Sequence, residues 1–311
     1  MRSCSGIVVS WLLVVLAFFS WQIAVVAQPQ QTPKTDPIEV AALNAIMGRW
    51  GLKASPEWNI SGEPCSGFAI DGTDWDNQPN INPFIKCICS FVNNTVCHIT
   101  RLRVVKLDVV GQIPSELQNL TYLEDLNLSY NYLTGPVPSF FGNFHLMKYL
   151  ALSFNPLSGS LPKELGNLTN LVSLGIGLNN FTGELPEELG NLTTLQRMYI
   201  DSSGFSGPFP STFSNLKNLN ILIASDNEFT GKLPDNLGGL TNLQDLAFQG
   251  NSFEGPIPAS LSNLTKLTKL RIGDIVNRST SMAFISNLTS LNILILRNCM
   301  ISGDLETCRF F

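Results

Sequence analysis

The sequence predicts an α/β-type solenoid, in which one short structural unit is copied along the chain and stacked on itself. Between Gly111 and Pro258, a glycine is followed three residues later by a proline at an unbroken interval of 24 residues. Within each interval, as at Leu126 and Leu128, apolar residues alternate with polar ones, which is typical of a short strand with one buried face. A copied unit of this size indicates stacked coils, so the functional question concerns a displayed surface. The prolines are Pro114, Pro138, Pro162, Pro186, Pro210, Pro234 and Pro258.

Each unit follows the pattern Leu-x-x-Leu-x-Leu-x-x-Asn-x-Leu-x-Gly-x-apolar-Pro, as seen from Leu123 onward. The asparagine of this pattern is predicted to be buried and to bond to the backbone of adjacent coils through its amide. The glycine lets the backbone turn, and the proline suits the end or edge of a strand. A single unit buries too little apolar surface to fold alone, so the coils must stack and their ends need caps. The asparagines are Asn131, Asn155, Asn179, Asn227 and Asn251.

Three positions depart from the asparagine phase: Ser203, Ile275 and Cys299. The glycine and proline of one coil are also lost, yet Gly303 follows Gly255 by 48 residues, which is two full periods. We therefore expect a coil of normal length with an irregular convex side around Val276–Ser281. Cys299 is expected to be a small buried thiol in place of asparagine, rather than a reactive cysteine.

Residues 1–27 are expected to be a signal peptide. Arg2 provides a positive start, Ile7–Phe19 is mostly apolar, and Val25, Val26 and Ala27 offer small residues for cleavage before Gln28. The alternative is an uncleaved membrane anchor, which Ser20 and Gln22 disfavour because they interrupt the apolar run. No second apolar stretch approaches the ~20 residues that a bilayer crossing needs.

Residues 28–98 are expected to form an N-terminal cap that begins with a helix. Asp36 is predicted to cap the helix, with Pro37 at the first position and Glu39 completing a reciprocal cap. An apolar face follows, and we expect it to cover the first coil rather than to bind a partner. The residues of this face are Val40, Leu43, Ile46, Met47 and Trp50.

Four cysteines precede the repeats: Cys65, Cys87, Cys89 and Cys97. In a secreted chain such crowding is typical of disulfides, for which three pairings exist. A zinc site formed by Cys87, Cys89, Cys97 and His98 is the alternative, and its ligand spacings are unlike those of common zinc modules. We expect no metal and no cofactor.

The repeat pattern is that of plant-type leucine-rich repeats, which the stretch from about Ile99 to Gly303 resembles throughout. Three segments narrow the resemblance: residues 58–105, which contain the four cysteines, the segment Tyr199–Gly207, and residues 294–303, which begin Leu-Ile-Leu-Arg-Asn-Cys. Together they resemble the outer portion of plant leucine-rich-repeat receptor-like serine/threonine kinases of subfamily VIII. The resemblance implies a superhelix with short parallel strands on its concave face, here about eight to nine repeats over 99–303. Among the cysteine pairings we favour Cys65–Cys87 with Cys89–Cys97.

Members of that family continue with more repeats, a malectin-like domain, a membrane-spanning helix and a cytoplasmic kinase. The resemblance implies the extracellular, ligand-sensing part of such a receptor, and residues 304–311, including Cys308, are interpreted as a truncated tail. The full-length protein would lie at the plasma membrane, held there through the missing parts, and the chain as given would be secreted to the apoplast. The alternative is a freely secreted decoy or an inhibitor of cell-wall enzymes. Sequencing the transcript beyond Phe311 would discriminate them.

Composition disfavours nucleic acid or an anionic membrane surface as the main partner, because the net charge is −5 and no basic block is present. Nor does the sequence contain the Gly-rich loop, His-Arg-Asp or Asp-Phe-Gly signatures of a kinase. Glu187 and Glu188 are expected on a hydrated convex surface, and His98 and His145 lie in no triad arrangement. We interpret the chain as non-enzymatic.

The ligand is expected on the concave face, where a rigid row of side chains can meet a partner. It could be a peptide, a cell-wall carbohydrate or a co-receptor ectodomain. The alternative is that these exposed strands are polar only for solubility. The residues projected there are Tyr149, Phe154, Arg197, Tyr199, Asp201, Asp226, Asp245, Lys269, Arg271 and Arg297.

Asn-x-Ser/Thr sequons make N-glycosylation an expectation for a secreted chain, although copying of the repeat accounts for some of them. Asn127 also has this motif, but we expect it to be used least because it points off a strand on the concave side. The sites expected to carry glycans are Asn59, Asn93, Asn119, Asn167, Asn180, Asn191, Asn263, Asn277 and Asn287.

Overall fold

The computed structural model describes residues 32–277 and 279–302, and there the predicted solenoid is confirmed. Parallel strands stack side by side, with residues in neighbouring strands paired at the 24-residue interval, as Asp125 pairs with Tyr149. The expectations for the signal peptide at 1–27, for Gly303 and for the tail at 304–311 lie outside the described residues.

The main sheet has eleven strands and lines the concave face. Phe84–Phe91 pairs antiparallel with Val96–Arg103, and all other pairings in this sheet are parallel. Its strands are β1 (Lys34–Thr35), β2 (Phe84–Phe91), β3 (Val96–Arg103), β5 (Asp125–Asn127), β7 (Tyr149–Ala151), β9 (Ser173–Gly175), β11 (Arg197–Tyr199), β13 (Ile221–Ile223), β15 (Asp245–Ala247), β17 (Lys269–Gly273) and β19 (Ile293–Arg297).

A second set of short parallel strands follows the main strands, which the sequence pattern did not predict. These strands pair in small groups, such as β12 with β14 and β14 with β16. Most have two or three residues, too few for a recognisable alternation. They are β4 (Val110–Gly111), β6 (Tyr132–Leu133), β8 (Ser158–Gly159), β10 (Asn180–Phe181), β12 (Ser206–Pro208), β14 (Glu228–Lys232), β16 (Ser252–Glu254), β18 (Thr280–Ser281) and β20 (Ile301–Ser302).

The convex side is built from short 3-10 helices. Each proline of the 24-residue pattern stands directly before one of them, as Pro114 does with an extended backbone at φ −66° and ψ 139°. The helices of the coils are Ser115–Asn119, Ser139–Asn143, Lys163–Asn167, Glu187–Asn191, Ser211–Asn215, Asp235–Gly239, Ala259–Asn263 and Met282–Ile285; two more, Ile60–Gly62 and Gly67–Ala69, belong to the cap.

Adjacent coils approach closely on this convex side. A Cβ atom added at Gly142 would lie 2.6 Å from the carbonyl oxygen of Glu164 in the next coil. At Gly190 it would lie 2.6 Å from the carbonyl oxygen of Thr212. Glycine is therefore needed at these positions for the space it leaves.

Leucines and asparagine amides fill the interior together. Leu126 and Leu128 are fully buried, and their counterparts are buried in the following coils up to Leu270 and Ile272, whereas Leu294 and Leu296 in the last described coil are partly buried. The amide of Asn131 accepts from the backbone N–H of Leu107 and Val109 through Oδ1, and it donates to the carbonyl of Val104 at 2.8 Å. The same bonding recurs along the ladder, so these buried polar groups are satisfied.

The three departures from the asparagine phase are all buried. The hydroxyl of Ser203 donates to the carbonyls of Ile176 and Asp201, which replaces part of the amide bonding. Cys299 is a free thiol whose Sγ contacts the carbonyl oxygens of Ile272 and Arg297. Small polarisable or apolar groups thus fit the ladder without widening the coil.

The predicted cap helix is α1 (Pro37–Arg49), which follows the short strand β1, and the prediction for its first residues is only partly right. Asp36 does cap the helix, since its carboxylate accepts from the N–H of Ile38 at 2.8 Å. The reciprocal cap by Glu39 is wrong: Glu39 is buried and bonds instead to His98 and to the N–H of Ile99 on β3. Glu39 thus bonds to partners about 60 residues away on β3 instead of to the N-terminus of its own helix.

The apolar face of α1 packs into the core at Leu43, Ile46 and Met47. Below it, disulfides join Cys65 to Cys87 and Cys89 to Cys97. The alternative zinc site is therefore not formed, because its three cysteines are bonded in disulfides and His98 faces Glu39.

Candidate functional site: the concave face of the main sheet

The concave face presents three side chains from each coil, at alternate positions of strand and strand end. Because each main strand pairs in register with the next, equivalent positions form rows that run along the solenoid. Within a row, side chains of successive coils are about 4.8 Å apart, which is the distance between neighbouring strands. The concave face is thus an open, continuous surface of aligned side chains rather than a closed pocket.

The first cluster on this face combines Tyr149, Arg197 and Tyr199. Ser173 and Gly175 lie between them on β9, since Ser173 pairs with both Tyr149 and Arg197, and Gly175 with Tyr199. Large side chains therefore flank a floor of small ones. This shape can accept a projecting group of a partner between two tyrosines, and tyrosine and arginine often dominate binding energy.

The second cluster is an ion-pair network around Asp245. Its carboxylate lies 2.7 Å from a guanidinium nitrogen of Arg271 and 3.7 Å from Nζ of Lys269. Two buried polar atoms beside this network, Nε of Arg271 and Oε1 of Gln249, have no hydrogen-bond partner within the described part of the chain. Unpaired buried donors and acceptors are rare, but a ligand on the surface cannot reach these two because they are buried. The part of the cluster that is open to a ligand is the half-exposed ammonium side chain of Lys269.

The two clusters are separate. Ile221 and Ile223 on β13 lie between Arg197 and Asp245, so an apolar coil separates the two clusters. Arg297 lies further along, where it pairs with Asp274 at 2.9 Å. Asp201 stays near the first cluster and is half-buried, and its burial and the charge of Asp226 both raise the pKa of its carboxyl.

Two projected residues lie elsewhere than expected. Phe154 and Asp226 do not extend from the strands but follow them, at a turn where the backbone is left-handed with φ of 59° and 54°. That conformation swings the side chain onto the flank of the solenoid. Phe154 accordingly stacks on Tyr130 of the preceding coil, with ring centroids 4.1 Å apart.

Asp125 is a concave residue that the sequence analysis missed. It is one coil before Tyr149 in the same row, so the repeat phase alone could have found it. Burial raises the pKa of its carboxyl to about 6, against the charges of Arg101 and Arg103, which lower it. Arg103 is held by backbone carbonyls of the cap, including those of Trp75 and Ile81.

The other titratable candidates do not gather into a catalytic arrangement. Glu187 and Glu188 are exposed in a convex 3-10 helix, as expected. His98 is buried against Glu39, and His145 is exposed on another part of the molecule. In the described part of the chain, every helix falls short of the length and apolarity that a bilayer crossing demands.

The sequon asparagines lie mostly on exposed surface. Asn119, Asn167, Asn191 and Asn263 each end a 3-10 helix, where the side chain is exposed. Asn127 lies on β5, half-buried, and its Oδ1 accepts from the N–H of Ser129 at 3.1 Å.

Comparison with known proteins gives a family match over more than half of the chain. A family model described as "Leucine-rich repeat region" matches residues 143–306, and one described as "Leucine Rich Repeat" matches residues 122–144. Both fall on the stacked coils.

Similar proteins are receptor kinases of plants. An Arabidopsis thaliana protein named "Probable LRR receptor-like serine/threonine-protein kinase" is 54% identical over 97 residues, which are 31% of this chain and 9% of that protein. The chain thus matches less than a tenth of that relative's length. The resemblance to plant receptor-like kinases is confirmed at this level.

Solved structures agree. The LRR ectodomain of the Arabidopsis thaliana receptor kinase GASSHO1/SCHENGEN3, in complex with CASPARIAN STRIP INTEGRITY FACTOR 2, has a TM-score of 0.64 and 30% identity, covering 72% of this chain and 26% of that one. The plant peptide hormone receptor RGFR1 in complex with RGF2 has a TM-score of 0.59 and 32% identity, covering 63% and 32%. With its 24-residue coils, its asparagine ladder and these matches, the chain belongs to the leucine-rich-repeat family.

Proposed function

We propose that this chain is an extracellular ligand-binding ectodomain of the plant receptor-kinase type, and that it binds its ligand on the concave face without catalysing a reaction. The observation that carries the proposal is the first cluster, where Tyr149, Arg197 and Tyr199 surround a floor of Ser173 and Gly175. In the second cluster, the exposed ammonium group of Lys269 adds a charged group that a ligand can contact.

The comparisons support the class of function. Two similar structures, named above, are receptor ectodomains in complex with the factor or hormone that their titles name. Rigid repeat surfaces of this kind bind extended partners along successive coils. We infer a peptide, a cell-wall carbohydrate or a co-receptor ectodomain as the ligand class, with the chain secreted after removal of residues 1–27.

In this proposal, residues 28–98 cap the solenoid and residues 99–303 carry the recognition surface. The kinase activity that the relatives' names state belongs to proteins of which this chain matches a small part. The chain's own contribution would be recognition on the outer side of the plasma membrane.

The experiment is a binding screen with paired variants. The secreted chain is immobilised and exposed to plant apoplastic fluid separated into peptide, oligosaccharide and protein fractions. Bound components are then titrated by calorimetry against wild type, a concave variant (Tyr199→Ala with Arg271→Ala) and a convex control (Glu187→Ala with Glu188→Ala). We expect binding to fall by about tenfold or more only in the concave variant. Equal affinity of all three folded proteins would refute the concave site.

A further inference from the structure

A row of left-handed residues runs along one flank of the solenoid, one from each coil. Six successive members of this row are Lys106, Tyr130, Phe154, Leu178, Ser202 and Asp226, all with φ between 49° and 59°. Backbone bonds tie each of them to the next coil, as the N–H of Tyr130 donates to Ser153 and that of Phe154 to Gly177. The row is therefore continuous and rigid.

The middle of this row has the wrong residue types for its backbone. The left-handed region is tolerated by glycine, asparagine and aspartate, which fill later coils at Gly250, Asp274 and Asn298. Tyr130, Phe154 and Leu178 instead place bulky side chains there in three consecutive coils. We name these three residues the apolar strip.

The apolar strip gains little burial in return for this strain. Tyr130, Phe154 and Leu178 are 48%, 39% and 40% exposed. Tyr130 and Phe154 stack on each other, yet all three side chains keep a large exposed part, and backbone strain of this kind clusters at functional sites. Exposed apolar side chains that lie side by side are characteristic of interaction surfaces.

The apolar strip is narrow, and a residue of opposite charge lies beyond each of its ends. On its concave side lie only Ser129, Ser153 and Gly177, which leave a shallow shelf. Lys106 stands exposed one coil before the strip, without an ion pair to any residue that the structure describes, and Asp226 stands exposed two coils after it. Asp201 lies beside Asp226 and interacts with its charge.

These dimensions favour one kind of occupant. Five coil steps from Lys106 to Asp226 span about 24 Å, which an extended polypeptide covers in about seven residues. A neutral polysaccharide offers no cation for the Asp226 end and no anion for the Lys106 end. A peptide can carry both, with an apolar side chain between them.

We propose that the apolar strip binds an extended peptide segment of a partner, with an acidic group near Lys106, an aromatic or aliphatic side chain against Tyr130 and Phe154, and a basic side chain near Asp226. This deepens the proposed function and rests on it, since it assigns a peptide to the flank of the same recognition surface. Binding energy would come mainly from the stacked rings, and the charges would set the direction of the peptide.

The test begins with a phage-displayed library of random peptides of about nine residues, long enough to span the row. The target is the full secreted chain, trimmed with an endoglycosidase because the sequons Asn127 and Asn180 lie near the strip. Enriched peptides are synthesised with a fluorescent label, and their affinity is measured by anisotropy.

The strip variant is Tyr130→Asn with Phe154→Asn, which replaces strained residues by one that suits the backbone and creates no new sequon. Leu146→Asn, an exposed leucine away from the strip, is the matched control. We expect at least about tenfold weaker peptide binding in the strip variant, an unchanged affinity in the control, and an equal or higher melting temperature in the strip variant.

Charge reversal tests the direction. Asp226→Lys should weaken binding by about fivefold, and a peptide with its basic residue changed to glutamate should recover that loss. Absence of enriched peptides, or equal affinity for the strip variant, would overturn the peptide site. Peptides that lose affinity only with Tyr199→Ala would also overturn it, while leaving the concave ligand site in place.

Discussion

The carboxylate of Glu39 on α1 lies 2.8 Å from Nδ1 of His98 on β3, and both side chains are buried. Its second oxygen accepts from the N–H of Ile99 at 2.7 Å, so one side chain fastens the cap helix to the main sheet. Burial raises the pKa of the Glu39 carboxyl, and these hydrogen bonds oppose that rise. The ring of His98 stacks on Tyr122 of the next coil, with centroids 3.7 Å apart, which extends the joint into the repeats.

Removal of this carboxylate should loosen the cap. Glu39→Ala leaves the N–H of Ile99 and the ring of His98 without their partner, and we expect the free energy of unfolding to fall by about 2–3 kcal/mol. Guanidinium denaturation followed by tryptophan fluorescence measures it. Glu188→Ala, on the exposed convex side, is the control and should change stability by less than about 0.5 kcal/mol. Similar values for both variants would show that the pair does not hold the cap.

Loss of one ladder amide should be equally costly. Oδ1 of Asn155 accepts from the N–H of Leu133, and Nδ2 donates to the carbonyls of Leu128 and Leu152, each at 3.0 Å. Asn155→Ala leaves these buried groups unpaired, so the free energy of unfolding should decrease by about 2–3 kcal/mol. The exposed Asn170→Ala serves as the comparison, with an expected loss below about 1 kcal/mol. A ladder variant as stable as Asn170→Ala would contradict the role of the amides.

Asp125 should make stability depend on pH. Its pKa is raised from 3.8 to about 6 in the folded protein, so the native state favours the protonated carboxyl. The stabilisation is complete below about pH 4 and is lost as pH rises through about 6, with a magnitude on the order of 2 kcal/mol. Asp125→Asn should remove this fall between about pH 4 and pH 7 in urea denaturation series. The exposed Asp235→Asn should keep the wild-type slope; identical slopes in all three proteins would exclude Asp125 as the source.

The thiol of Cys299 should resist alkylation in the native protein. It is 3% exposed, and burial raises its pKa, so little thiolate is available for reaction. Iodoacetamide at mildly alkaline pH, followed by peptide mass spectrometry, should label Cys299 slowly in the native chain and rapidly in guanidinium. Rapid labelling of the folded protein would indicate an accessible, reactive cysteine instead.

Glycan occupancy should differ between sequons of the same repeat. Asn127 is half-buried on a strand and engaged with Ser129, whereas Asn167 and Asn191 are exposed where a 3-10 helix ends. Enzymatic deglycosylation in heavy-oxygen water, followed by peptide mapping, should report lower occupancy at Asn127 than at Asn167 or Asn191. Equal occupancy would mean that the concave position does not limit access.

The periodic part of the fold could be predicted because each coil repeats the same local requirements. The spacing of Leu126 and Leu128 places both side chains inside, and Asn131 follows where its amide reaches the neighbouring coil. The second strands could not be predicted in this way, since Tyr132–Leu133 forms a strand only because Val110–Gly111 lies beside it. Pairing between coils, rather than local alternation, creates these elements.

The sequence predicted which positions of the repeat would lie on the concave face, but it did not predict which of their side chains come together. Projection of the template located Arg197 and Tyr199 on the strand, whereas it misplaced Phe154 and Asp226 because a left-handed turn follows each strand. Glu39 escaped prediction for another reason: its partner His98 is 59 residues away, and nothing in the local helix pattern reports it.

The close approach at Gly142 and Gly190 has a consequence for the whole arc. Where a side chain would wedge two coils apart, the spacing on the outer rim sets how tightly the inner rim bends. An alanine at either position would therefore widen the outer rim, tighten the curve and bring the side chains of Tyr149 and Tyr199 closer together, although neither tyrosine is touched. The curvature of the concave face is thus set from the convex side, by the Cβ atoms that glycine lacks.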